Sequence, residues 1–118
     1  YILGAHLQRR SRAKLHTLAR SRSVWDRRVA MIATAHFIRG GDCADALRIA
    51  ETLLPDEHDL IHKAAGWMLR EIGDRCGRQL LRGFLDSNAL RMPRTMLRYA
   101  IEHFSADERV RYLTTRRS

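Results

Sequence analysis

Lysine is nearly missing from this chain: Lys14 and Lys63 are the only two among 22 basic residues in 118. Almost all the positive charge is therefore guanidinium, which offers phosphate a planar fork and rings a flat face. Acidic residues are absent from Tyr1 to Trp25, where Arg9, Arg10, Arg12, Lys14, Arg20 and Arg22 crowd together. Proline occurs only at Pro55 and Pro93. No stretch alternates long enough to make a strand, which excludes a sheet-built fold. No apolar run approaches the ~18 residues of a membrane span, and no signal peptide is visible. Cys43 and Cys76 form no Cys-x-x-Cys pair and no zinc set with the six histidines. Two separate thiols in a reducing cytoplasm are expected.

What is present is charge and helical periodicity. The formal charge of +9 and pI near 10.9 suit a highly anionic partner. The charge is uneven: from Asp42 to Asp59 six carboxylates face only Arg48. Such asymmetry predicts one basic face. The length is one domain's worth, residues 1–118. With Tyr1 at its start and a helical pattern under way by Ala5, a piece of a longer protein is expected.

The pattern predicts helices at about 5–20, 24–39, 43–53, 58–75, 77–87, 93–104 and 106–116. Ser23, Asp42 and Ser105 are candidate N-caps, with Glu108 at capping-box spacing from Ser105. Gly40-Gly41 is a left-handed stop. Three helices share a basic residue followed by small and apolar ones: Arg28-Val-Ala, Lys63-Ala-Ala and Arg94-Thr-Met, 35 and 31 residues apart. Short connections and that period predict an all-α superhelix of HEAT-like antiparallel helix pairs.

On the helix from His58 to Asp74, Ile61, Ala64, Ala65, Met68, Leu69 and Ile72 make one apolar stripe. Trp67 lies roughly 130° away, among Lys63, Arg70, Glu71 and Asp74. On the helix from Val24, the stripe is read as Trp25, Val29, Ile32, Ala33 and His36, with Arg28 about 100° to the side in the same rotational sense. Trp25 is thus expected in the core and Trp67 at the surface. If the two helices are equivalent members of successive repeats, they run parallel and bring Arg28 and Trp67 to one surface.

Trp25-Asp-Arg-Arg28-Val-Ala, followed by Lys63-Ala-Ala-Gly-Trp67-Met-Leu-Arg70-Glu71, resembles the DNA alkylation repair family of HEAT-like bacterial DNA glycosylases. The resemblance runs from Tyr1 to at least the Pro93-Arg94 helix. It implies binding of duplex DNA and excision of cationic N3- and N7-alkylated purines by N-glycosidic cleavage, without metal or cofactor. It implies a DNA-binding set of Arg28, on the backbone at the lesion, and Trp67, against the damaged nucleotide, with Lys63 and Arg70 beside them. Arg70 could instead be structural, paired to Glu71 or to an upstream carboxylate. The family's catalytic aspartate comes from a helix before the Trp-x-x-Arg motif, so it is expected upstream of Tyr1, with no catalytic residue within this chain. Asp26 lies inside the motif and matches no catalytic position. The C-terminal part of a DNA-alkylpurine glycosylase, a cytoplasmic bacterial monomer acting on alkylated duplex DNA at the nucleoid, is the leading reading. A non-catalytic DNA-binding relative and a protein–protein scaffold are the alternatives.

Overall fold

The computed structural model describes residues 2–114, with side chains from residue 11 onward. Every regular element among them is helical: α1 Ile2–Ala19, α2 Val24–Ala33, α3 Ala35–Arg39, α4 Ala44–Thr52, α5 Asp59–Arg75, α6 Arg78–Asn88, a 3₁₀ turn Ala89–Arg91, α7 Arg94–Ala100 and α8 Ala106–Thr114. Among the described residues no helix is long and apolar enough to cross a membrane.

Local chemistry sets the boundaries. Ser23 Oγ accepts the Asp26 amide and opens α2. His58 does the same for α5 through its ring, accepting the Leu60 amide at 3.2 Å. Asp42 accepts from the Ala44 amide, so it caps α4 from one residue outside. Ser105 accepts from Glu108 as expected, whereas the Glu108 carboxylate turns to Arg82. Gly41, at φ 86°, turns the chain after α3. The single helix expected over 24–39 is two. Thr34 is fully buried, and its hydroxyl donates to the Met31 carbonyl at 2.5 Å. That back-bond competes with the helical ladder and tightens the turn. The helix expected over 93–104 ends at Ala100 because the chain tightens at Ile101, dropping Phe104 into the core.

The predicted stripe of α5 is the centre of the core, with Ile61, Ala64, Ala65, Met68, Leu69 and Ile72 all buried. α5 packs between α2 and α7. Contacts climb in step along α5 and α7, from Gly66 against Met96 and Tyr99, through Arg70 with Glu102, to Asp74 with His103. The two helices therefore run parallel. α4 and α5 are antiparallel, since the start of one meets the end of the other. The molecule is a slab of 47 × 30 × 19 Å, about two helices thick.

Three sequence expectations need correction. Cys43 and Cys76 are not separate thiols but a disulfide, with Cα atoms 6.6 Å apart. They occupy the start of α4 and the end of α5, and the antiparallel pairing brings those ends together. Second, Trp25 is 64% exposed and Val29 53%. The inward side of α2 is Ala30 and Met31, with Val24 partly buried against the same core. Arg27 shares that inward side and disguises it in the sequence: its Nε donates to Asp56 at 2.6 Å, and its Nη1 to the carbonyls of Ser21 and Arg22. Third, part of the basic N-terminal segment faces inward. Arg12 pairs with Asp42 at 2.7 Å and Asp45 at 3.2 Å, and His16 meets Asp45 at 2.8 Å. The acidic stretch thus neutralises part of the basic one within the molecule.

Candidate nucleic-acid interface

Three helices build one cleft. α5 contributes Lys63, Trp67 and Arg70 from the side away from its buried stripe, with Leu60 and Ala64 at the floor. α2 adds Arg28 and Ile32, and α7 adds Tyr99. All four residues named from the sequence line this one cleft of about 200 Å³. That is smaller than an ordinary small-molecule pocket, and it suits a group laid against a surface rather than swallowed.

Gly66 explains why the third wall is so close. A Cβ there would sit 2.6 Å from both the Met96 carbonyl oxygen and Tyr99 Cβ. Only the missing side chain lets α7 approach α5 and set Tyr99 beside Trp67. Tyr99 was not found from the sequence. The Arg94-Thr-Met repeat start marked α7 as a counterpart of α5, and an aromatic shortly after it was the available signal.

The three cations differ in their surroundings. Lys63 pairs with Asp59 at 3.1 Å, and that carboxylate raises the ammonium's pKa above the ordinary lysine value, so it stays charged at neutral pH. Arg70 is bound through Nη1 to Glu102, neither to Glu71 nor to an upstream carboxylate. Its Nε is buried without a hydrogen-bond partner among the described residues. Arg28, half-buried, has no ion pair or hydrogen bond among them. With Lys63 and Arg70 each matched to a carboxylate, Arg28 is the cation of the cleft that no described residue compensates.

Trp67 is 41% exposed and forms a ridge. On its other side lies a small hollow lined by Arg39, Glu71 and Arg75 over Ala35, Ile38 and Met68. Asp26 takes no part in either depression. Its amide is capped by Ser23, and its carboxylate accepts from Ser21 Oγ at 2.8 Å. The neighbouring arginines of the Trp-x-x-Arg motif therefore have opposite fates, with Arg27 clamped inward as structure and Arg28 left available. A flat aromatic beside one unmatched guanidinium is suited to a phosphate next to an aromatic base.

Comparison with known proteins gives one finding beyond the geometry. Neither the curated proteins nor the solved structures yield a match. A family model described as DNA alkylation repair enzyme matches residues 1–104. That range includes α1 to α7 and every residue of the cleft. The chain belongs to the DNA alkylation repair enzyme family, and its role is in DNA repair.

Proposed function

We propose that this cleft is the DNA-contacting wall of a HEAT-like alkylpurine DNA glycosylase that acts on duplex DNA carrying cationic N3- or N7-alkylated purines. One observation carries the reading: Arg28, whose side chain has no partner among the described residues, shares a cleft with Trp67, Tyr99, Lys63 and Arg70. In this reading Arg28 holds a backbone phosphate by charge-assisted hydrogen bonds. Trp67 and Tyr99 offer aromatic faces to the sugar and base beside it. An alkylated purine already carries positive charge and leaves without prior protonation. The chemical demand is stabilisation of the oxocarbenium-like sugar, which an aspartate meets electrostatically or by placing water. Asp59 and Glu102 are each committed to a cation, and the Asp26 carboxylate accepts from the Ser21 hydroxyl. These walls therefore supply grip and field, and the aspartate belongs to a part of the active site outside this cleft.

Arg28→Ala tests the assignment. Loss of a hydrogen bond to a charged group should weaken duplex binding by about 1.5–3 kcal/mol at matched salt. Folding stability should move by less than about 0.5 kcal/mol, because no internal partner is lost. Equal affinity of mutant and parent in fluorescence anisotropy would make Arg28 an ordinary surface cation.

A further inference from the structure

A second concentration of arginine lies in the layer formed by α1, α4 and the 3₁₀ turn, and shares no residue with the cleft described above. There Arg20, Arg48 and Arg91 line a broad open depression of about 540 Å³ with His16, Thr52 and Glu51. Three guanidinium groups face one carboxylate, a surplus of positive charge.

The depression is assembled, not merely a solvated patch. Arg91 donates through Nη2 to Oδ1 of Asn88, an amide only 4% exposed. Asn88 spends its own donor on the Phe84 carbonyl at 3.0 Å. Burying an amide is costly unless it is paired, and here the pairing positions a cation at the rim. His16 is likewise fixed by Asp45. Arg20 rests on the His16 carbonyl at 3.5 Å, so its remaining donors are uncommitted. Arg48 is exposed, and its side chain has no hydrogen bond or ion pair among the described residues. Its backbone carbonyl holds the Thr52 hydroxyl at 3.0 Å, on the same lining.

We infer that this depression is a second phosphate-binding site, taking a backbone phosphodiester of nucleic acid. The shape argues for a chain over a small molecule: the hollow is wide and shallow, and its donors stand around the edge on three different elements. Such a site can hold one group of an extended polyanion without enclosing it.

Arg48→Gln tests this, since Arg48 is exposed and its removal breaks no bond seen in the fold. With unmodified duplex DNA over a salt series, the slope of log affinity against log salt should become shallower by about 1, the signature of one lost phosphate contact. Affinity should fall uniformly across sequences. Arg28→Ala should act independently, so the double variant should show the sum of both changes. That separates failure of this site from failure of the first cleft. In a parallel arm, inorganic phosphate is titrated while the arginine Nε–H signals are followed by NMR. An unchanged DNA slope in a folded Arg48→Gln protein overturns the inference. If phosphate nevertheless shifts Arg48 and Arg91 in the parent protein, the site takes free phosphate and not nucleic acid. If nothing shifts, there is no site.

Discussion

Gly66 gives the sharpest forecast, because two effects of opposite sign meet there and the distances decide between them. Replacing a mid-helix glycine by alanine normally gains about 0.8–1 kcal/mol of helix propensity. At Gly66 the new Cβ would stand 2.6 Å from the Met96 carbonyl oxygen and from Tyr99 Cβ. Neither atom is the free end of a side chain, so relief requires α7 to move away from α5. Overpacking costs about 1–3 kcal/mol where side chains can yield. With backbone in the way the upper end applies, leaving Gly66→Ala less stable by about 2 kcal/mol net. For a domain of this size that is about 6–10 °C in Tm. The same change in α6 reverses the sign. Nothing lies within 4 Å of a Cβ at Gly83, so Gly83→Ala should stabilise by about 0.5–1 kcal/mol. Gly73→Ala should fall between, since the obstacle at 2.7 Å is Cδ2 of Leu81, the end of a side chain and not backbone. Thermal unfolding followed by circular dichroism ranks the three. A Gly66→Ala protein as stable as the parent would refute the close approach of α5 and α7, and with it the placement of Tyr99 in the cleft.

Trp67 is 41% exposed, so Trp67→Ala should cost about 2–3 kcal/mol of stability, a partial share of the usual core penalty. It should also weaken DNA binding per folded molecule by about 1–3 kcal/mol, and unchanged binding would remove it from the interface. Acrylamide should quench both tryptophans, Trp25 more than Trp67, a ranking that single-tryptophan variants resolve. Reducing the Cys43–Cys76 bond, which closes a loop of sequence separation 33, should lower stability by about 2–4 kcal/mol. Two thiols titratable without reductant, with no change in Tm on reduction, would contradict that pairing. Finally, this chain alone should not release 7-methylguanine from alkylated duplex at an enzymatic rate, because the carboxylates around its cleft are tied to cations. Rapid base release would show that one of them is catalytic.

Much of the framework was legible in residue order. The stripe Ile61, Ala64, Ala65, Met68, Leu69 and Ile72 recurs at helical spacing and is buried as such, because a long amphipathic helix with one clean apolar side has one way to face a core. The same arithmetic sent Trp67, Lys63 and Arg70 to the outer side. α2 misled for an equally physical reason. It carries two half-apolar sides, and the core took the one containing Arg27, whose charge is satisfied by Asp56 and two carbonyls. A buried ion pair looks polar in a sequence, so the helix was read rotated and Trp25 was assigned inward.

The sequence by itself determined that the chain is helical, where the glycine and serine punctuation falls, and which arginine and tryptophan stand off the main stripe. These are local consequences of periodicity and capping, settled within a few residues of each position. Only the tertiary structure decided which residues meet. Arg12 finds Asp42, Arg70 finds Glu102, Cys43 finds Cys76, and Arg28 has no partner among the described residues while lining one cleft with Trp67 and Tyr99. Each of those outcomes depends on how helices some 30 residues apart slide and rotate against one another. That register is set by close approaches such as Gly66 against Met96, a side chain's absence that no helical wheel weighs.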